Sequence, residues 1–143
     1  MENIKCETLG SYISQIHRKS NSFITKKLSK YGIGSGQYMF LIKLYKQDGI
    51  NQESLSESLF IDKGTTARAI KKLEEEGLIY RVKDENDKRA YEVYLTDKAK
   101  DIKEEVFRIL EEVENLITFN LTTEQKVDII KILKKISTND SIR

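Results

Sequence analysis

A short basic helix followed at once by a hairpin is the sequence feature that most constrains this fold. Asp62 suits the N-cap of the helix, because its carboxylate accepts hydrogen bonds from free backbone amides, and Gly77 ends the helix. Four cations and no acid lie between Lys63 and Lys72, whereas residues 47–61 have a net charge of −3. This order of parts predicts a winged helix with a cationic helix on its surface.

The basic helix is amphipathic, and a second, shorter helix precedes it. Asn51 can cap that shorter helix, so the two form a helix-turn-helix. At 100° per residue, an inner stripe of the basic helix contains Thr66, Ile70 and Leu73. The opposite side carries Thr65, Arg68, Lys71, Lys72 and Glu75. We therefore expect the cationic face to be free to meet a partner.

Residues 78–83 and 91–95 read as the two strands of the hairpin. Leu78, Tyr80 and Val82 alternate with more polar positions, as do Tyr91, Val93 and Leu95, which predicts that these two sets share the apolar face. The connection, residues 84–89, is too charged to be buried. It predicts a projecting wing.

Long helices are predicted on both sides of this unit. They span about 4–31, 35–47 and 97–119, with Gly49 in the C′ position after the second, and a capping box of Thr122 and Gln125 begins a last helix. Their apolar stripes need another surface, which a second copy of the chain supplies. The predicted fold is mainly α with a small β-hairpin wing, in one domain covering residues 1–143. The winged-helix DNA-binding lobe covers about 35–96, and the helices in about 1–31 and 97–143 form the dimerisation lobe.

Composition excludes several classes of protein. The 143 residues include one Cys and one His, too few ligands for a zinc site, and we expect no metal and no cofactor. A stretch of about 18 apolar residues and a signal-peptide pattern are both missing, which predicts a cytoplasmic protein without a membrane partner. Nucleophile–base pairs and phosphate loops are not spaced for catalysis, so the chain is predicted not to be an enzyme.

Double-stranded DNA is the partner that fits the basic helix and the wing. Lys63, Lys71 and Lys72 would neutralise phosphates, and the planar guanidinium of Arg68 can hold guanine bidentately. Thr65 can reach a phosphate or a thymine methyl group. Arg89 at the tip of the wing, with Lys88 beside it, has the reach to enter the minor groove.

The chain resembles the MarR family of winged-helix transcription factors over nearly its whole length. The resemblance rests on DKGTTARAIKKLEEEGLI (residues 62–79), Arg81, Asp87-Lys88-Arg89, Val93 and Leu95-Thr96. It implies a homodimer that binds a pseudo-palindromic operator, usually as a repressor, with Arg89 in the minor groove and Asp87 supporting the wing. Ala99 stands where many members have Gly, which should disturb only the start of the fifth helix.

Three alternatives stay open, two for how the protein is regulated and one for what the winged helix binds. Many relatives release DNA when a small phenolic or aromatic carboxylate effector binds, and Arg18, Tyr38 and Met39 offer a cation and apolar walls for one. A redox-sensing repressor would use Cys6, but Tyr12 is not on the same helical face and the pattern around the cysteine does not match that branch of the family. A winged-helix module that binds another protein is the third. His17 is expected to pack or to face water.

Overall fold

Helices make up most of the computed structural model, which describes residues 7–142. The first part contains α1 (Leu9–Leu28), a 3-10 turn (Ser29–Tyr31) and α2 (Tyr38–Lys46). The winged-helix part continues with β1 (Ile50–Asn51), α3 (Gln52–Ser58), α4 (Lys63–Glu75), β2 (Ile79–Lys83) and β3 (Tyr91–Leu95). The last part contains α5 (Asp97–Asp101), α6 (Lys103–Ile117) and α7 (Thr123–Ser137). The predicted mainly helical fold with a β wing is confirmed.

Side-chain caps begin α3, α4, α5 and α7, and those of α3, α4 and α7 lie where the sequence predicts them. Asn51 Oδ1 accepts from the Glu53 amide at 2.9 Å, and Asp62 Oδ1 accepts from the Thr65 amide at 2.8 Å. Thr96 caps α5, and Thr122 forms the predicted capping box at the start of α7. Each cap satisfies backbone amides that have no partner inside their helix.

A Schellman motif ends α4 and turns the chain into the sheet. Gly77 has φ of 72° and its amide donates to Glu74 O at 3.0 Å, while the Leu78 amide donates to Leu73 O at 3.0 Å. Glycine adopts this left-handed conformation without strain. The predicted end of the basic helix at Gly77 is therefore confirmed.

Three antiparallel strands, in the order β1-β3-β2, form the sheet. The short strand β1 was not predicted, since two residues show no alternation. Gly49 leads into it: its φ is 75° and its amide donates to Val93 O at 2.9 Å. The expected C′ role of Gly49 is wrong, because α2 already ends at Lys46 with Gln47 as its cap.

The predicted apolar face of β2 is also wrong. Ile79 pairs with Leu95 and Tyr80 with Tyr94, so Ile79 shares the inner face, while Tyr80 and Val82 are 48% and 44% exposed. Leu78 lies in the turn that precedes the strand, and both Leu78 and Ile79 are buried. The alternation therefore starts one residue later than the sequence pattern indicates.

The long helices differ from the prediction at their ends. The predicted start of the first helix at Ile4 lies outside the described residues, and within them α1 begins at Leu9, because Thr8 Oγ1 accepts from the Ser11 amide. The second helix begins three residues later than predicted, because a turn joins Gly34 to Gln37.

The single helix predicted for residues 97–119 is divided at Ile102 into α5 and α6. Ala99, at the position where a glycine was expected, leaves the start of α5 regular. Its amide donates to Thr96 Oγ1, and its carbonyl accepts from the Tyr45 hydroxyl at 2.6 Å. That last hydrogen bond ties α2 to α5.

The hydrophobic core lies beneath the sheet and between the helices of the winged-helix part, and it extends to α1 through Ile24 and Leu28 and to α6 through Val106, Ile109 and Val113. Its fully buried side chains include Phe40, Leu41, Leu44, Leu55, Ile70, Leu73, Leu78 and Val93. In contrast, none of the α7 residues, all of which are described, is buried. Among residues 7–142, no helix has the length and apolar character that a membrane crossing needs.

Candidate nucleic-acid interface

Helix α4 presents its cations on one side and its apolar residues on the other. Arg68, Lys71 and Lys72 are exposed, whereas Ile70 and Leu73 are fully buried against the core. Burial of the inner stripe fixes which way the outer side chains project. The structure thus places three of the predicted contact residues together on the surface of one helix.

The first turn of α4 holds a chain of polar contacts. Thr65 Oγ1 donates to Asp62 Oδ2 at 2.7 Å, and Arg68 Nη2 donates to Thr65 Oγ1 at 3.0 Å. The hydrogen bonds from the Thr65 amide and hydroxyl hold the pKa of Asp62 below its usual value. Asp62 is therefore ionised at neutral pH and carries a negative charge beside the arginine.

Lys63 is paired with an acid that sequence reasoning did not single out. Its Nζ lies 2.8 Å from Glu53 Oε1, and both side chains are largely exposed. The hydrogen bond with Glu53 raises the pKa of Lys63. A phosphate that approaches Lys63 must compete with this carboxylate.

Backbone and side-chain hydrogen bonds shape the tip of the wing. Asp87 Oδ1 accepts from the Arg89 amide at 3.0 Å, and Asp87 O accepts from the Ala90 amide at 2.9 Å. The Asp84 amide closes the loop by donating to Ala90 O at 3.0 Å. Lys88 and Arg89 are exposed at this tip.

A polar cavity of about 460 Å³ separates the wing from the start of α4. Lys63 and Arg89 both line it, so the cavity brings a cation of the helix and a cation of the wing to one place. Asn51, Gln52 and Glu53 of the α3 start line it as well. Sequence reasoning missed Gln52 and Glu53, and the capping role of Asn51 was the only signal that pointed to this turn.

Arg81 stabilises the elements that carry the interface residues. Its Nε lies 3.3 Å from Glu74 Oε2, and its guanidinium lies 4.7 Å from the centre of the Tyr91 ring. It thereby joins β2 to α4 on one side and to β3 on the other. Arg81 is one of the residues that carry the family resemblance, but the resemblance implies no role for it. Its contacts indicate a structural role.

The three residues predicted for an effector site lie in different environments. The Arg18 guanidinium donates to Ser14 Oγ on the exposed side of α1. Tyr38 is buried, which raises the pKa of its hydroxyl, and Met39 is 42% exposed. None of the three lines the polar cavity described above.

A larger cavity, of about 850 Å³, lies between the α3–α4 turn and the end of α7. Phe60, Ile61 and Ile136 are among its lining residues. Phe60 is 93% exposed and has a positive φ of 55°, an uncommon conformation for a side chain of this size. Sequence reasoning did not single it out, because the spacing of apolar residues does not report backbone conformation.

Two residues remain from the sequence analysis, Cys6 and His17. Cys6 lies outside the described residues, and His17 faces solvent on α1, one of the two outcomes expected for it. Among residues 7–142, no group of three or more metal-binding side chains occurs.

Comparisons with known proteins agree with this arrangement. A sequence model described as the MarR family matches residues 33–91. The chain is 32% identical over 127 residues to the uncharacterized HTH-type transcriptional regulator YybA of Bacillus subtilis, covering 89% of this chain and 85% of that protein. Both comparisons point to a regulator of transcription.

Solved structures extend the likeness to the fold. A MarR transcriptional regulator from Methanosarcina mazei Go1 is 45% identical with a TM-score of 0.86, covering 90% of this chain and 92% of that one. A putative MarR family regulator from Listeria monocytogenes, solved with a 26mer DNA, is 27% identical with a TM-score of 0.85, covering 92% and 87%. With its capped α4 and its wing, this chain belongs to the MarR family of DNA-binding winged-helix transcriptional regulators.

Proposed function

We propose that this protein is a homodimeric repressor that binds a pseudo-palindromic operator, with α4 in the major groove and the wing in the minor groove. The observation that carries the proposal is the cavity shared by Lys63 of α4 and Arg89 of the wing. One duplex can meet both elements there. The Listeria relative solved with DNA supports the choice of partner.

In the major groove, some polar residues of α4 contact the phosphate backbone and others contact the bases. Lys63, Lys71 and Lys72 neutralise backbone phosphates, which gives affinity without reading sequence. Arg68 holds a guanine through its remaining N–H donors, and Thr65 offers a methyl group beside it. The exposure of Arg68, Lys71 and Lys72 supports these tasks.

In the minor groove, the wing contributes Arg89 with Lys88 beside it. A guanidinium is attracted by the negative potential of a narrow groove. Asp87 helps to hold the wing, since it accepts a hydrogen bond from the Arg89 amide and thereby sets where the arginine leaves the loop.

The terminal helices join the two copies. Exposed apolar side chains occur along α1 (Leu9, Ile13, Ile16), α6 (Leu116, Ile117) and α7 (Ile129, Ile130, Ile132, Leu133, Ile136). Such a surface needs a cover, and a second copy offers the same surface in return. We accordingly assign residues 1–31 and 97–143 to dimerisation and about 35–96 to DNA binding, all within one domain.

Repression follows when the dimer occupies an operator, and a small phenolic or aromatic carboxylate would release it. Arg18, Tyr38 and Met39 remain our candidates for that effector site. Titration of salicylate against the protein–operator complex tests this part, and an unchanged affinity at millimolar salicylate would remove it.

The central test measures the binding of the full-length protein to duplex DNA selected from genomic fragments. We expect sequence-selective binding that weakens steeply with salt. Arg89→Ala should weaken binding by about tenfold or more while the dimer stays folded, because it removes a groove contact. Arg108→Ala on α6 removes the same charge outside α4 and the wing and is the matched control.

A second variant separates phosphate contacts from base reading. Lys72→Ala should lower affinity for all sequences alike and reduce the salt slope by about one unit, if Lys72 neutralises one phosphate. If the wild-type protein shows no salt-dependent retention on duplex DNA, a protein-interaction module is the better description.

A further inference from the structure

Three polar residues at the start of α4 are spaced three apart and form one chain of hydrogen bonds. Asp62 caps the helix, Thr65 lies one turn later and Arg68 one turn after that. The distances along the chain are 2.7 Å from Thr65 Oγ1 to Asp62 Oδ2 and 3.0 Å from Arg68 Nη2 to Thr65 Oγ1. All three side chains therefore lie on one side of the helix.

The direction of each hydrogen bond in this chain is determined by chemistry. An ionised carboxylate only accepts and a guanidinium only donates, so the single Thr65 proton must point to Asp62. The Thr65 lone pairs then face Arg68. Because Asp62 Oδ1 also accepts from the Thr65 amide at 2.8 Å, the carboxylate cannot rotate without losing the cap.

The arrangement holds the arginine while it leaves most of its donors free. Only one of the five guanidinium N–H groups is engaged by Thr65, which leaves enough for a bidentate contact with guanine. Arginine side chains have many rotamers, and restraining one before binding reduces the entropy that binding costs.

We propose that Asp62, acting through the Thr65 hydroxyl, is a positioning residue for Arg68 and sets the selectivity of this protein for guanine at one base pair of each half-site. The inference rests on the proposed function, in which Arg68 faces the major groove. In this arrangement the Thr65 hydroxyl is hydrogen-bonded within the protein, so only the methyl group of Thr65 is available to contact DNA.

Thr65→Val tests the step through the hydroxyl, because valine keeps the shape and the methyl group. Selectivity is measured as the ratio of dissociation constants for the selected operator and for the same operator with that guanine replaced by each other base. We expect the ratio to fall by about tenfold, within the range of one bidentate arginine–guanine contact. Thr65→Ser retains the hydroxyl and should keep the ratio.

Asp62→Asn tests the carboxylate itself. Asparagine still caps the helix through its carbonyl oxygen, but its amide nitrogen then faces Thr65 and donates to it. The Thr65 proton is thereby turned toward Arg68, where it repels the guanidinium. The guanine preference should fall at least as far as in Thr65→Val.

Thr66→Val is the matched control for loss of a hydroxyl. Thr66 Oγ1 donates to the backbone carbonyl of Asp62 at 2.9 Å, and among the described hydrogen bonds it makes none with the Asp62 carboxylate, the Thr65 hydroxyl or the Arg68 guanidinium. We expect a lower melting temperature and an unchanged base preference. A purely structural role for Thr65 would give Thr65→Val this same result.

The outcomes separate the two proposals. An equal guanine preference in wild type and Thr65→Val overturns the positioning role, and so does a loss that Thr65→Ser fails to restore. A wild-type protein with no preference among duplexes overturns the proposed function instead.

Discussion

The winged-helix part and α7 differ sharply in how far their apolar side chains are buried. Phe40, Ile70 and Leu73 are at most 1% exposed, whereas Ile130 and Ile132 of α7 are 50% and 54% exposed. The core of the winged-helix part is complete within one chain. Helix α7 has no buried residue, and this contrast leaves it with an apolar surface that the second copy of the proposed dimer would cover.

The largest effect should follow from damage to the closed core. Phe40→Ala should lower the free energy of unfolding by about 3–5 kcal/mol, because it removes a fully buried ring and leaves a cavity. Urea unfolding followed by circular dichroism measures this. A loss below about 1 kcal/mol would mean that the core is less tightly packed than the structure indicates.

The next effect concerns the exposed apolar surface of α7. Ile132→Glu should raise the dimer dissociation constant by about tenfold or more, since it places a charge in an apolar interface. Sedimentation velocity over a range of concentrations gives that constant. Lys131→Glu adds the same side chain one residue away and should have the smaller effect. Equal behaviour of the two variants would show that α7 does not lie in the interface.

A smaller effect should follow when the ion pair between Lys63 and Glu53 is removed. Glu53→Gln should raise affinity for DNA by about twofold to threefold, the size typical of an exposed ion pair. Glu57 raises the pKa of Lys63 through its charge alone, and among the described contacts it makes no hydrogen bond with Lys63, so Glu57→Gln is the control for loss of a nearby negative charge. The gain should disappear in a Lys63→Ala background, and a gain that persists there would point to a general charge effect.

The smallest effect concerns the contact between α6 and the 3-10 turn that follows α1. Glu105 of α6 accepts hydrogen bonds from Lys30 and Tyr31, and these hold its pKa below the usual value. A carboxyl with a lowered folded pKa stabilises the protein above its unfolded pKa and loses that contribution as pH falls through the folded value.

Melting temperature measured from about pH 6 to pH 3 tests this contact. Glu105→Gln should make the decline in melting temperature shallower over the acid end of that range. Identical slopes for the variant and the wild type would show that the contact contributes nothing to the stability of the folded protein.

Local chemistry explains which features the sequence predicted well. The caps at Asn51, Asp62 and Thr122 and the stop at Gly77 depend on residues within one turn, so the sequence carries them. Strand β1 depends on pairing with residues more than forty positions away. The partner of Lys63 likewise depends on how α3 meets α4, which no local pattern contains.

The predictions of the apolar face of β2 and of one unbroken helix across Ile102 were wrong for a related reason. The turn after Gly77 buries both Leu78 and Ile79, which shifts the alternation by one residue. The division between α5 and α6 falls at Ile102, between the buried residues Ala99 and Val106, so continuous helical spacing does not reveal it.

The spacing of half-sites tests the central claim most directly. Two copies joined by their terminal helices should address half-sites centred about one DNA turn, or about 10 base pairs, apart. Insertion of about half a turn between the half-sites of a selected operator should reduce affinity to that of a single half-site, because the second copy then faces the wrong side of the duplex. An affinity unchanged by this insertion would contradict a dimer that reads both half-sites at once.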